Sequence, residues 1–289
     1  MNKNPEKLCV IGDPVMHSIS PLIHNFIYRE KGINGLYEKI RVEKHELKNF
    51  VTSAKNGRWL GFNVTIPHKE SILQFLSGLD STARKTGAVN TVKLDSGRLI
   101  GFNTDVAGCE LSLKSVIDNP LKNALIIGSG GATKAAVSAL LNLGIPDITV
   151  LNRNMARAEK LSDFFRINSG AHIKTAGLQD KTFSDFTKHA DIIINATPVG
   201  MWPDTENSVL QENCLLKQGA IVFDMVPRPA ITTMLKRAEQ SGAVTVSGLL
   251  MLIFQAAEAH KIWFGQDYDD NLIDEIKNYL FTKHRDTVQ

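Results

Sequence analysis

Apolar and polar positions sort the chain into two runs of alternating strands and helices, with a restart near residue 105. In the first run, Leu8 to Ile11 reads as a strand closed by the turn residues Gly12-Asp13-Pro14. Ser20-Pro21 pairs an N-cap residue with proline at the first helical position, which predicts a helix over PLIHNFIYREKG. Leu36 to Val42 alternates as a second strand, and HELKNFVTSAKNG has helical spacing. Phe62 to Ile66 (FNVTI) predicts a third strand, stopped by Pro67. ESILQFL then continues at helical spacing, so a helix is expected from Pro67, with Lys69 in its first turn. That seat mildly disfavours a cation, because the helix dipole is positive there. GAVNTVKL and RLIGFN flank Asp95-Ser96-Gly97 as a hairpin. Strands alternating with helices predict an α/β layer structure.

The second run opens with Asp105, placed to cap the helix VAGCELSLKSV. ALIIGSGG is an apolar strand running into glycines, and ATKAAVSALLNLG is a helix that Gly144 stops. DITVLNR is the next strand and ARAEKLSDFF the next helix. DIIINAT and AIVFDMV are continuous apolar runs, the signature of strands buried on both faces of a parallel sheet. TVSG is a further strand, and the tail is helical over LLMLIFQAAEAHKIWFG and DDNLIDEIKNYLFTK. The fold class predicted is α/β with two domains, 1–105 plus 248–289 and 106–247.

Composition narrows the function. The chain has 289 residues, 43% of them hydrophobic and 22% charged, enough apolar material for two cores. A net charge of +3, with scattered lysines and no aromatic-interleaved basic run, predicts no nucleic-acid partner. Cys9, Cys109 and Cys214 are far apart and lack CxxC or Cys/His spacing, which argues against a disulfide framework or structural zinc. His17 and His68 have no ligand spacing either, so no metal is expected. The N-terminus lacks a signal-peptide pattern, and the longest fully apolar run, Leu249 to Phe254, is too short for a bilayer. The expected compartment is the cytoplasm, with no membrane partner.

LIIGSGGATKAA is the sharpest local signal. Gly128 permits the tight turn after the strand, and Gly130 lets backbone approach a pyrophosphate at the helix N-terminus. Ser129, Gly131 and Ala132 complete the loop, while the third glycine position of the dinucleotide fingerprint is Thr133. The next strand ends in Asn152-Arg153-Asn154, with Arg157 one turn on. An NAD site carries an acid there to hold the ribose hydroxyls. Here no acid repels a 2′-phosphate, and two guanidiniums can clamp it, so the cofactor expected is NADP.

A second set of polar residues lies at element ends in the first run. Ser18 and Ser20 flank a helix start, Asn63 and Thr65 lie on the strand Phe62 to Ile66 with Lys69 just beyond it, and Asn90, Asn103 and Asp105 lie at the ends of the hairpin strands. Hydroxyls and amides suit a small polyhydroxylated ligand, serines at a helix start suit its carboxylate, and lysine with aspartate makes a proton-transfer pair. Each residue also has a local explanation: Ser20 and Asp105 as caps, Asn90 as a turn residue, Gln255 as the polar face of a surface helix.

Taken together, the motifs resemble those of the shikimate dehydrogenase family over nearly the whole chain. They are HSISP (His17 to Pro21), NVTIPHK (Asn63 to Lys69), GAVNT (Gly87 to Thr91), GFNTD (Gly101 to Asp105), GSGGA (Gly128 to Ala132), NRNMAR (Asn152 to Arg157), NATPVGM (Asn195 to Met201) and GLLMLIFQ (Gly248 to Gln255). The resemblance implies an N-terminal α/β substrate domain and a Rossmann-type NADP-binding domain flanking a cleft. It implies reversible NADPH-dependent reduction of 3-dehydroshikimate to shikimate, by a monomer or homodimer. It assigns Ser18 and Ser20 to the substrate carboxylate and Thr65, Lys69, Asn90, Asp105 and Gln255 to the rest of that carboxylated cyclitol. Lys69 with Asp105 is the catalytic pair. Gly128 to Ala132 cradle the pyrophosphate, Asn152, Arg153, Asn154 and Arg157 the adenosine phosphate, and Thr197, Met225 and Gly248 the nicotinamide side.

Three positions depart from the family pattern. Pro227 stands where the family often has tyrosine in DxxY, Ser247 replaces the aspartate before GLxML, and Asn154 replaces threonine after NR. Two other functions compete: a quinate/shikimate or related cyclitol dehydrogenase, and a ligand-sensing relative without turnover. The missing acid at Asn152 counts against the first, and retention of Lys69 and Asp105 against the second.

Overall fold

The computed structural model describes residues 5–57, 59–178, 183–212 and 214–288. Contacts divide the chain into two units, Met1–Thr104 with Ile253–Arg285, and Asp105–Leu252 with Asp286–Gln289.

The first unit carries β1 (Glu6–Gly12), α1 (Ser20–Glu30), β2 (Gly35–Arg41), α2 (Leu47–Asn56), β3 (Gly61–Val64), a 3-10 helix (Ser71–Phe75), β4 (Gly78–Leu79), α3 (Ser81–Thr86), β5 (Thr91–Asp95) and β6 (Arg98–Phe102). Its sheet has the order β2-β1-β3-β5-β6-β4. β1 pairs in parallel with β2 and β3, and β5 runs antiparallel to both β3 and β6, closing the expected hairpin. Ile11, Phe62, Val64, Val89, Val92 and Leu99 build a core on one face with Val51 and Ala54 of α2.

The second unit opens with α4 (Thr104–Lys114), which straddles the boundary, and continues through β7 (Asn123–Ile127), α5 (Gly131–Asn142), β8 (Asp147–Asn152), α6 (Met155–Ser169), β9 (Lys174–Gly177), α7 (Phe183–His189), β10 (Ile192–Asn195), β11 (Ile221–Asp224), α8 (Thr233–Gln240) and β12 (Val244–Ser247). Its sheet is wholly parallel in the order β12-β11-β10-β7-β8-β9. From β7 onward this is the 3-2-1-4-5-6 order of doubly wound dinucleotide-binding sheets. Alternate residues of β7 serve separate cores: Ile126 packs with Ala136, Leu140 and Phe165, Leu125 and Ile127 with Met234 and Leu235. Both faces being covered, the inner strands β7, β10 and β11 are continuous apolar runs. The chain ends in α9 (Gly248–Phe264), α10 (Asp270–Lys283) and α11 (Arg285–Val288).

Three local expectations are corrected. The strand over FNVTI stops at Val64, and no helix starts at Pro67. His68 turns back, its amide donating to the Thr65 carbonyl (2.9 Å) and its buried ring bonding the Val42 carbonyl through Nε2 (2.6 Å). The Lys69 carbonyl accepts from the Val89 amide (2.7 Å), so Leu73 bonds Glu70 instead and only a 3-10 turn forms. Lys69 thus precedes the helix, and the dipole argument for its seat falls. Ser20 is not an N-cap: it is the first residue of α1, makes no capping bond, and Ile19 precedes it. Asp105 is likewise not a cap but lies in the first turn of α4, which begins at Thr104.

Candidate functional site

In the first unit, strand ends gather the predicted substrate residues. Thr65 follows β3, where its amide bonds the Ile11 carbonyl (2.9 Å) and Asp13 bonds the Ile66 carbonyl (3.0 Å). Gly12 is required there, since a Cβ would lie 2.8 Å from the Ile66 oxygen. Half-buried Lys69 is tied through its own carbonyl to Val89, the residue before Asn90. Asn90 in turn accepts from the Val64 amide at its carbonyl (2.8 Å). Its side chain is buried, with Nδ2 donating to Thr104 Oγ1 (2.9 Å) and Gln255 Oε1 (3.3 Å), and Oδ1 accepting the Thr104 amide (2.7 Å). Asn90 is therefore more than a turn residue. Gln255 is buried as well, which removes the surface-helix explanation.

Ser18 Oγ donates to Ser20 Oγ (3.1 Å) and accepts the Ser20 amide (3.2 Å), holding both hydroxyls at the head of α1. Asp105 is buried in the first turn of α4. Asn103 is turned inward instead, its Nδ2 donating to Thr86 Oγ1 and the Ala88 carbonyl (both 3.0 Å), and so braces the GAVNT segment.

Sequence reading missed the support beneath Asn90. Tyr37, buried on β2, donates its hydroxyl to Asn63 Oδ1 (2.5 Å), and Asn63 Nδ2 donates to the Asn90 carbonyl (3.0 Å) and Thr91 Oγ1 (2.9 Å). His24 stacks on Tyr37 with ring centroids 4.1 Å apart and planes 10° from parallel. The one available signal was a tyrosine at an inward position of an alternating strand, which marks burial rather than a partner.

In the second unit, the strand order reverses between β7 and β10, so the crevice at their carboxyl ends is the expected ligand position. Gly128 ends β7 with φ of 114°, and a Cβ there would lie 3.0 Å from Thr197 Cγ2 and 3.1 Å from the Ala196 oxygen. Gly130, at the N-cap of α5, differs: its φ of −94° suits any residue, and a Cβ would meet nothing within 4 Å. No protein contact or backbone strain requires this glycine, and the open space beside the N-terminal amides of α5 could admit a pyrophosphate. Ser129, Gly131 and Ala132 lie beside it at the same helix start.

At the end of β8, Asn152 Nδ2 donates to the Asn154 carbonyl (2.8 Å), and Asn154 caps α6 by accepting the Arg157 amide (3.2 Å). The cap is what a threonine would supply, so that departure is accommodated. Arg153 and Arg157 are exposed beside it and join no ion pair among the described residues. Two cations at a helix start without an acidic partner fit a phosphate.

Thr197 and Met225 follow β10 and β11, and Gly248 begins α9. Gly248 lies flat against the Met225–Val226 peptide, where a Cβ would come within 2.5 Å of Met225 C and the Val226 oxygen. Ser247 accepts the Leu249 amide (3.2 Å) and donates to the Ala230 carbonyl (2.6 Å), so it opens α9 without the family's aspartate. No group of metal-ligating side chains occurs among the described residues, and none of their helices is long and apolar enough to cross a membrane.

These arrangements match known proteins. Residues 10–92 match the shikimate dehydrogenase substrate binding domain, and residues 110–249 match shikimate / quinate 5-dehydrogenase. A shikimate dehydrogenase (NADP(+)) of Methanothermobacter thermautotrophicus is 38% identical over 272 residues, 94% of this chain and 95% of the relative. The shikimate 5-dehydrogenase of Thermus thermophilus, solved with NADP(H) and shikimate, superposes with a TM-score of 0.82 at 33% identity, covering 94% of this chain and 98% of that one. A quinate dehydrogenase of Corynebacterium glutamicum, solved with NAD, gives a TM-score of 0.85 at 28% identity, covering 95% and 99%. The chain belongs to the shikimate dehydrogenase family.

Proposed function

We propose that this chain catalyses the reversible NADPH-dependent reduction of 3-dehydroshikimate to shikimate, a step toward chorismate and the aromatic amino acids. Residues 1–105 plus 248–289 bind the substrate and residues 106–247 the cofactor. NADP supplies or accepts the hydride at the carbinol carbon. The Ser18 and Ser20 hydroxyls hold the substrate carboxylate, and Thr65, Asn90 and Gln255 hold its ring oxygens. As hydride reaches the carbonyl carbon, the C=O π pair moves to oxygen, and Lys69 gives that oxygen a proton. In the oxidative direction neutral Lys69 takes the proton back, with Asp105 as its charge partner. Gly128 to Ala132 seat the pyrophosphate, Asn152, Asn154, Arg153 and Arg157 the adenosine 2′-phosphate, and Thr197, Met225 and Gly248 the nicotinamide side.

The observation that carries this reading is the bond from the Val89 amide to the Lys69 carbonyl, which ties the backbone of Lys69 to the residue preceding buried Asn90. Three free cysteines with no disulfide suit a reducing compartment, in keeping with a cytoplasmic enzyme working as a monomer or homodimer. Lys69→Ala tests the role directly. It should lower kcat with shikimate and NADP+ by at least about 100-fold, the usual scale of general acid–base help, with thermal stability retained. A wild-type kcat would remove Lys69 from the proton path.

A further inference from the structure

Asp224, at the end of β11, is fully buried and has a part in neither proton transfer nor cofactor contact as assigned above. Its two oxygens face different tasks. Oδ1 accepts from Asn195 Nδ2 (2.9 Å) and from the Val226 amide (3.1 Å). Oδ2 accepts from Thr232 Oγ1 (2.6 Å), and Thr232 is the N-cap of α8, accepting the Leu235 amide (3.3 Å).

Asn195 sits opposite Asp224 in the β10–β11 register and is itself fully buried. Its Oδ1 accepts both the amide (3.0 Å) and the hydroxyl (2.6 Å) of Thr197, and its Nδ2 also reaches the Val199 carbonyl (3.1 Å). The Asn195 carbonyl accepts the Met225 amide (3.0 Å). An amide side chain can rotate by half a turn and exchange its oxygen and nitrogen. The Thr197 amide, which can only donate, and the Val199 carbonyl, which can only accept, already set that orientation, and Asp224 Oδ1 is the second acceptor that holds Nδ2 in place.

We propose that Asp224 is a positioning residue for the cofactor side: through Asn195 and the Val226 amide, Oδ1 sets Thr197 and Met225, while Oδ2 separately secures helix α8 through Thr232. This rests on the reading that Thr197 and Met225 line the nicotinamide side. The functional demand falls on one oxygen and the structural demand on the other, so the two can be separated.

The test uses the intact chain and steady-state kinetics with shikimate and NADP+, alongside thermal unfolding. Asp224→Ala should raise KM for NADP+ about tenfold, the scale of one to two buried hydrogen bonds, and leave KM for shikimate unchanged. Asp224→Asn should restore that KM to within about twofold, because its carbonyl can face Asn195 and Val226 while its amide faces the Thr232 hydroxyl oxygen. Thr232→Ala should lower Tm by several degrees through the lost cap and leave both KM values alone. Loss of folded enzyme would lower kcat without moving KM, so the split excludes a merely structural role. Thr197→Ala tests the underlying reading by the same KM. If Thr197→Ala raises KM for NADP+ and Asp224→Ala does not, the positioning role is wrong. If Thr197→Ala also leaves it unchanged, the cofactor-side assignment fails and the proposal with it. Should Asp224→Ala not fold, Asn195→Ser breaks the same relay from its neutral side and carries the same expectations.

Discussion

Arg153 and Arg157 are exposed at the start of α6, where the proposed clamp on the adenosine 2′-phosphate would act. Cations gain nothing at the start of α6, and the cap is already made by Asn154. An anion from outside the chain would give both a partner. Arg153→Ala should raise KM for NADP+ by about tenfold or more, as expected for a lost charge-assisted bond, and leave KM for NAD+ nearly unchanged. An equal effect on both cofactors would dismiss the 2′-phosphate clamp. At this scale the sequence singles out Lys69, Asn90 and the arginines because reactive chemistry falls at element ends. It was silent on Tyr37 and on the bracing bonds of Asn63, which span 26 to 28 residues and form only once β2, β1, β3 and β5 share one sheet.

The glycine turn between β7 and α5 is the element proposed to seat the pyrophosphate. Gly128 is fixed by its positive φ and by its packing on Ala196 and Thr197; Gly130 is fixed by neither. Gly130→Ala should thus fold normally, with Tm within a few degrees of the native protein, while KM for NADP+ rises at least about tenfold, since even a small misfit at the pyrophosphate costs that much. Titration calorimetry and thermal unfolding read the two effects separately, and unaltered NADP+ binding would show that the space above Gly130 is not the pyrophosphate seat. The same scale explains the failure at Pro67. Helical spacing in ESILQFL was real, but the Lys69 carbonyl is taken by Val89 on a neighbouring segment, and the buried His68 ring holds the turn in place. Local periodicity does not carry such nonlocal bonds. The inner parallel strands β7, β10 and β11 were legible because burial on both faces demands uninterrupted apolar runs, whereas β9, KTAG at the sheet edge, carries no such run and was not predicted.

Across the whole molecule, acid acts in opposite senses on the two units. In the first, burial drives His24 down to about 3, aided by His260, and burial drives His260 down to about 4. Unfolded histidines titrate near 6.5, so below that pH the unfolded chain binds protons that the folded unit refuses. Each such histidine removes about 1.4 kcal/mol of stability per pH unit as pH falls below 6.5. In the second unit, burial raises the Asp224 carboxyl to about 6 against the bonds from Thr232, Val226 and Asn195. The folded unit there holds its proton more tightly than the unfolded chain, so this group's contribution is lost as pH rises through about 6. Urea unfolding followed by tryptophan fluorescence, with Trp263 lying 5.5 Å from the His24 ring, should show stability dropping between pH 6.5 and 4.5. His24→Phe, which keeps the stack on Tyr37, should flatten that slope, and an unchanged slope would mean that His24 does not stay neutral in the fold.

A four-way assay of shikimate and quinate with NADP+ and NAD+ tests whether the chain oxidises shikimate with NADP+. kcat/KM should be highest for shikimate with NADP+, at least about tenfold above either the quinate or the NAD+ combinations, the discrimination expected where a clamp or a hydroxyl-binding network goes unused. Turnover of quinate with NAD+ while shikimate stays inert would contradict it and establish the quinate reading. No turnover in any of the four would support a ligand-sensing relative instead.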